Sequence, residues 1–210
     1  MIDKKLEEHW ENVYSNKKEN EVSWYQKYPD KSIELIKSLN INLNSSIIDI
    51  GAGESRLVDS LLEMGYKNID VLDISRTAIE KAKKRLGDKS LLVNWIVSDV
   101  NNFIPKKKYD LWHDRAAFHF LKKNNQIKNY ISLTNNSITT NGKLILATFS
   151  SNGPMKCSGL DVTRYSKESL IKEFKNHFTL SNSFITSHLT PFNTFQEFLF
   201  ISFKKNRNCF

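Results

Sequence analysis

The sequence predicts an α/β fold: a seven-stranded, mostly parallel sheet with helices on both faces and a C-terminal antiparallel β-hairpin. Three observations carry that expectation. From residue 46 to residue 149, short apolar runs alternate with stretches of helical period, the pattern of a parallel sheet covered on both faces. After residue 175 this changes to two β-rich segments, FTLSNSFITSHL and FQEFLFISF, joined by a turn around Pro191 and Asn193 with no helix between them. The chain has 210 residues, 40% hydrophobic and 11% aromatic, enough for one buried core without disulfide staples.

The elements follow in order. Residues 3–14 put Leu6, Trp10, Val13 and Tyr14 on one helical stripe. A polar linker and the segment VSWYQ lead to Pro29 at a helix start, continued by Ile33, Leu35, Ile36 and Leu39. SIIDI (46–50) is the apolar run of a fully buried strand and breaks at Gly51-Ala52-Gly53. Leu57, Val58, Leu61, Leu62 and Met64 resume helical spacing until Gly65. IDVLD (69–73) is the second strand, with Ser75 as N-cap of a helix through Leu86. LLVNWIV (91–97), YDLWH (109–113) and KLILATF (143–149) are the third, fourth and fifth strands, with a helix ending near Ile138 before the fifth. A long loop (150–165) precedes a helix over about Ser166 to Phe174 and then the hairpin. No repeat or composition shift divides the chain, so residues 1–210 read as one domain, with 1–28 a cap segment ahead of a core over 29–205.

Charge and cysteine usage narrow the function class. Lys and Arg total 31 against 23 Asp and Glu, a formal net charge of +8. The same chain carries 22 asparagines, and its basic residues are scattered over a helix (Lys81, Lys83, Lys84, Arg85), a turn (Lys106–Lys108) and the C-terminus. A nucleic-acid site clusters its cations with aromatic residues, so this charge reads as solvated surface and nucleic acid as an unlikely partner. Two cysteines, Cys157 and Cys209, are too few for a disulfide framework and fit a reducing, cytoplasmic setting. No apolar run approaches the roughly 20 residues of a membrane span, and the charged N-terminus is no secretory signal. The expected protein is a monomer or homodimer away from membranes.

The chemistry gathers at strand ends. Asp49-Ile50-Gly51-Ala52-Gly53-Glu54-Ser55 runs from a strand through two glycines into a helix, where the backbone turns tightly and helix amides are expected free for a ligand. The third glycine of a dinucleotide fingerprint is replaced by Ser55 or Arg56, which argues against an NAD cradle. Asp73 closes strand two, where a carboxylate accepts from both ribose hydroxyls of a nucleoside. Asp99, in Ser98-Asp99-Val100, closes strand three and is placed to accept from an adenine amino group. All three features fall where open α/β sheets bind ligands.

In this order of motifs the sequence resembles the class I S-adenosylmethionine-dependent methyltransferases, which have a Rossmann-like fold, over essentially residues 5–205. The resemblance implies S-adenosyl-L-methionine as cofactor, with Gly51 and Gly53 along its methionine moiety. It also implies Asp73 on the ribose, Asp99 and Val100 on the adenine, and Asp49 orienting the glycine loop. Trp24, Ala52, Ile74 and Asp114 complete the implied cofactor contacts. A narrower resemblance, carried by HWENVY (9–14), SWYQ (23–26), WHDRAAFHFL (112–121) and the segment Gly153-Pro154 to Tyr165, is to an uncharacterised branch of small methyltransferases. It implies an N-terminal helix folded over the cofactor, with Trp10, Tyr14, Trp24 and Tyr25 excluding water.

The acceptor end is read from strand four. In this fold that strand's end faces the methyl group, which makes His113, Asp114 and Arg115 the candidate catalytic residues. His113 is a candidate base, Asp114 a proton acceptor or cofactor contact, and Arg115 an anchor for an anionic group on the substrate. Asp114 and Arg115 also read as an ion pair locking the loop, and His119 as a packing residue. The 150–165 loop reads as a site cover, with Cys157 a buried small hydrophobe. The chain lacks the N-P-P-Y tetrad of amino-group nucleic-acid methylases and any C-x-x-C metal site. The expected activity is methyl transfer to a small-molecule or protein side-chain nucleophile; an RNA methyltransferase and a non-catalytic partner subunit are the alternatives.

Overall fold

The fold is taken from a computed structural model that describes residues 4–207; the first residue of the expected N-terminal helix and Cys209 lie outside the described residues. Strands β1 (Ser46–Ile50), β2 (Asn68–Asp73), β3 (Val93–Val97), β4 (Tyr109–Arg115) and β5 (Ile138–Phe149) pair in parallel. Strand β9 (Phe195–Lys205) joins β5 antiparallel, and β8 (Phe178–Leu189) pairs antiparallel with β9 at the sheet edge. The seven-stranded order is β3-β2-β1-β4-β5-β9-β8. The two short strands β6 (Lys156–Cys157) and β7 (Leu160–Asp161) form a separate hairpin inside the long loop after β5.

Strand alternation divides the core into two faces. On one, Ile47, Val71, Leu111 and Ile145 pack against α2 (Asp30–Ser38), α3 (Leu57–Glu63) and α4 (Arg76–Leu86). On the other, Ile48, Leu72, Trp112 and Leu146 pack against α5 (Asn124–Ser137) and α6 (Lys167–Phe174). Trp112 and Tyr130, both fully buried, form the aromatic centre of the second face with ring centroids 6.2 Å apart. Burying aliphatic side chains of this kind contributes about 1.5–3 kcal/mol each.

Helix α1 (Lys4–Asn16) does not stand apart from this body. The Glu11 carboxylate accepts from the first amides of α4, Arg76 N at 2.5 Å and Thr77 N at 3.3 Å. That places a negative charge at the positive end of α4. At the other end of α1, Lys81 Nζ donates to the carbonyls of Tyr14 (2.5 Å) and Lys17 (2.9 Å) and pairs with Glu54 at 3.2 Å. These bonds hold α1 across the carboxyl ends of the strands.

Three element boundaries depart from the sequence reading. Leu91 and Leu92 sit in a 3-10 turn over Gly87–Leu92 and are 86% and 62% exposed, so β3 begins at Val93. Their apolar character mimics a strand, but they precede the first residue that pairs with β2, Val93 opposite Ile69. Strand β4 runs two residues further than YDLWH, through Asp114 and Arg115, because β5 pairs with it as far as Arg115↔Ala147. Strand β5 starts early, at Ile138, with Asn141 in the left-handed region (φ 66°) interrupting its register.

Candidate functional site

The strand order reverses between β1 and β4, and the ligand crevice of an open α/β sheet lies at such a switch point. The carboxyl ends of β1, β2, β3 and β4 here open onto a cavity bordered by Gly51, Asp73, Asp99 and Arg115. Helix α1 covers it with Leu6, Trp10 and Tyr14, and Cys157 reaches it from the 150–165 loop. A second chamber, sharing Tyr14, Trp24, Gly51 and Arg115 with the first, continues past Asp49 and Ala52 toward Lys18 and Arg56.

Asp73 is buried beside the first cavity, its two oxygens bonded to the chain's own backbone: Gly53 N donates to Oδ2 at 2.7 Å and Ser75 N to Oδ1 at 2.8 Å. Burial pushes its carboxyl up to about 6, against these two hydrogen bonds, which stabilise the ionised form. An ionised carboxylate has about four lone-pair sites, so two remain for a ligand. Asp99 also borders this cavity and caps the turn after β3, accepting from Asn101 N at 2.9 Å and Asn101 Nδ2 at 3.1 Å on one oxygen. Its other oxygen takes a longer bond from Asn102 Nδ2 at 3.3 Å. Ile74 and Val100 supply apolar walls beside the two acids.

The glycine loop is tight for two separate reasons. Gly51 has φ 60°, and a Cβ there would lie 2.5 Å from Ala117 Cβ; Gly53 has φ 55°, and its Cβ would lie 2.1 Å from Tyr14 Oη. Neither position admits a side chain without displacing β4's continuation or α1. The loop amides expected to be free are partly used by the chain: Gly53 N on Asp73, Ala52 N on Leu72 O and Leu57 N on Ser55 Oγ. Helix α3 therefore starts only at Leu57, with Gly53–Arg56 spent on a turn. Gly53 borders neither chamber, Ala52 borders the second, and Gly51 borders both.

Strand four separates its three candidates by alternation. His113 and Arg115 face the α2 side, Asp114 the α5 side. His113 is 2% exposed, with Nδ1 2.7 Å from Asp49 Oδ1 and Nε2 2.9 Å from Ser32 Oγ, so both ring nitrogens are engaged. Asp114 is fully buried and borders neither chamber; its Oδ1 accepts from Ala117 N (3.0 Å) and Phe118 N (3.1 Å) and its Oδ2 from Tyr130 Oη (2.6 Å). It locks the turn after β4, in which Ala116 takes φ 68°, through hydrogen bonds rather than an ion pair with Arg115. Burial lifts the Asp114 carboxyl to about 6. Arg115 borders both chambers, donates from Nη1 to Trp24 O at 3.2 Å and lies 4.8 Å over the Phe198 ring.

Aromatic rings line the covered side. The Trp10 ring lies 5.7 Å from Trp24, 5.2 Å from Phe120 and 6.1 Å from Tyr14. All four border the cavity, a surface that favours cations held within about 6 Å of a ring centre. His119 is buried between Phe120 and Phe149, and burial with the Arg115 charge pushes its pKa down to about 3, keeping it neutral. Burial pushes the Cys157 thiol up to about 12, so it stays protonated, as a small apolar residue does. Among the described residues no group of three acidic, His or Cys side chains is placed to hold a metal, and no helix is long and apolar enough to cross a membrane. The sequence did not mark Ser32 and Tyr130, whose partners lie 81 and 16 residues away, nor single out Glu11 within HWENVY, whose partner lies 65 residues away.

Comparison with known proteins agrees with the fold. Residues 47–137 match the family described as a methyltransferase domain, a segment from β1 to the end of α5. The chain is 31% identical over 131 residues to malonyl-[acyl-carrier protein] O-methyltransferase 1 of Ilyobacter polytropus, covering 60% of this chain and 47% of that protein. The chain spans about half the length, or less, of the curated relatives it first matches. A structure solved for the conversion of a disulfide bond into a thioacetal group during echinomycin biosynthesis superposes with TM-score 0.79 at 16% identity, covering 97% of this chain and 94% of the other. The N-methyltransferase NodS from Bradyrhizobium japonicum WM9, in complex with S-adenosyl-L-homocysteine, superposes with TM-score 0.69 at 15% identity, covering 95% and 100%. The fold is Rossmann-like, and the segment from β1 to the end of α5 is similar to a methyltransferase domain.

Proposed function

We propose that this chain is an S-adenosylmethionine-dependent methyltransferase acting as one domain on a nucleophile of a small molecule or a protein side chain. The observation that carries the reading is the buried Asp73 carboxylate at the switch-point cavity, with two lone-pair sites left after its backbone bonds. That donor–acceptor set fits a ribose, whose two hydroxyls are donors. Asp99, with one oxygen only weakly engaged, fits an adenine amino group, and Ile74 and Val100 fit the faces of the base. Gly51 lets the backbone approach the methionine portion in the second chamber, where Asp49, Ala52 and Arg56 also lie. The NodS complex, which holds the demethylated product form of such a cofactor, supports the same donor.

The cofactor, when bound, supplies a methyl group on a cationic sulfonium, open to in-line displacement. The residues of this chain do the rest by position. Trp10, Tyr14, Trp24 and Phe120 exclude water and favour a positive charge beside Gly51. Asp114, through Ala117 N, Phe118 N and Tyr130, fixes the turn that aims Arg115 at the cavity. His113 pins β1 to α2 through Asp49 and Ser32 and is assigned to positioning rather than to proton abstraction. Asp114 borders neither chamber and is not placed to take a proton from the acceptor, whereas His113 borders the second.

Calorimetric titration with S-adenosylmethionine and S-adenosylhomocysteine tests the reading. It predicts one saturable site in the micromolar range for each; absence of binding of either compound by the folded chain overturns it.

A further inference from the structure

Arg115 is a half-buried cation with no carboxylate at ion-pair distance, although Asp49 and Asp30 are near enough to favour its charge. One of its five N–H donors is used, by Trp24 O, and its Nε is sealed from solvent with no hydrogen-bond partner. Among the described residues it belongs to no ion pair. A sealed guanidinium N–H left this way is costly unless a ligand completes it. Besides the two chambers, Arg115 borders a third cavity, between residues 26–31 and the β8–β9 hairpin. That cavity adds Phe198 and Phe200 as apolar walls. Its other charged or titratable neighbours are largely accounted for. Lys31 pairs with Glu34 at 2.8 Å, His188 Nε2 bonds Ser23 O at 2.8 Å, and Asp30 is exposed.

We propose that Arg115 is the anion anchor of the acceptor site, and that the acceptor carries a single carboxylate and enters through the cavity beside the β8–β9 hairpin. This rests on the methyltransferase reading. One unpaired cation matches one negative charge, and the planar guanidinium fork matches a carboxylate in shape. A dianionic phosphate would leave one of its two charges without a partner beside the half-buried guanidinium. The stack on Phe198 and the bond to Trp24 O hold the guanidinium plane, so the anion's position is defined before it arrives. Asp73 and Asp99 line the first chamber with Arg115 but form no ion pair with it, which leaves them to the nucleoside.

The test uses benzoate as the probe carboxylate, benzamide as its neutral counterpart and inorganic phosphate as the competing anion, titrated into the full chain saturated with S-adenosylhomocysteine. Wild type is expected to bind benzoate saturably and benzamide and phosphate more weakly. Arg115→Met should lose about tenfold or more in benzoate affinity, and Arg115→Lys should retain part of it. S-adenosylhomocysteine affinity should stay within about threefold in both variants, a readout that also reports their folding. Benzoate binding that is absent from wild type, equal in Arg115→Met, or weaker than phosphate binding overturns the proposal. So does a collapse of S-adenosylhomocysteine affinity in Arg115→Met, which would move Arg115 to the cofactor's own carboxylate. Failure of wild type to bind S-adenosylhomocysteine at all would instead sink the methyltransferase reading.

Discussion

Replacing Asp73 by Asn changes one charged atom at the point on which the cofactor reading depends. The carboxylate accepts from Gly53 N and Ser75 N, one bond on each oxygen, and keeps one lone-pair site on each for a ribose hydroxyl. The amide has a single acceptor oxygen, so one hydroxyl loses a charge-assisted bond, at a cost of about 1.5–3 kcal/mol. That corresponds to a dissociation constant for S-adenosylhomocysteine raised about 10- to 150-fold. Asp73→Ala removes both acceptors and should weaken binding further. Calorimetry gives the affinities, and the melting temperature of the ligand-free variants separates loss of contact from disorder of the glycine loop. An Asp73→Asn variant that folds normally and binds within about twofold of wild type would refute the ribose assignment.

Other expectations follow from the same contacts. Because burial holds Asp73 near pH 6 against about 3.9 in an unfolded chain, the ligand-free fold binds more protons than the unfolded state between those values. Its contribution to ligand-free stability therefore falls as pH rises through that window, as does that of Asp114. A donor such as a ribose hydroxyl favours the ionised form, so S-adenosylhomocysteine affinity should be full above about pH 6 and fall below it; a flat calorimetric pH series from about 5 to 8 would contradict this. Tyr130→Phe leaves Trp112 Nε1 and Asp114 Oδ2 each without a partner in the core, costing about 2–4 kcal/mol, or about 5–15 °C in melting temperature. Its S-adenosylhomocysteine affinity should not change, and a large loss would make Asp114 a cofactor contact after all. Gly53→Ala forces a non-glycine residue to φ 55° and its Cβ onto Tyr14 Oη, at a conformational cost of about 1–2 kcal/mol before the clash. Thermal denaturation should show a lower melting temperature, and an unchanged one would mean that α1 does not rest on this loop.

What the sequence revealed and what it hid have physical causes. The positions of Gly51, Gly53, Asp73 and Asp99 at or just past strand ends are legible because the change of period marks where each strand stops. SIIDI and FTLSNSFITSHL have the observed bounds of β1 and β8 because turn residues flank each. The roles within WHDR were not legible, since strand alternation sends Asp114 into the α5 core while His113 meets Asp49 and Ser32, 64 and 81 residues away. Sequence order places these residues side by side, and only the fold shows that Arg115 alone of the three borders the first cavity. The pair Leu91–Leu92 misled because exposed and buried leucines look alike without the register that starts at Val93. The net charge of +8 proved less informative than the four aspartates at the strand ends, of which two border the first cavity, one the second, and one holds the turn.

The central claim is methyl transfer, and incubation of the chain with methyl-labelled S-adenosylmethionine and a fractionated cell extract tests it most directly. Label is expected in the small-molecule or protein fraction, dependent on the protein and suppressed by S-adenosylhomocysteine. Label confined to RNA would contradict the acceptor class, and cofactor binding without transfer to any fraction would contradict the claim that the chain is an enzyme.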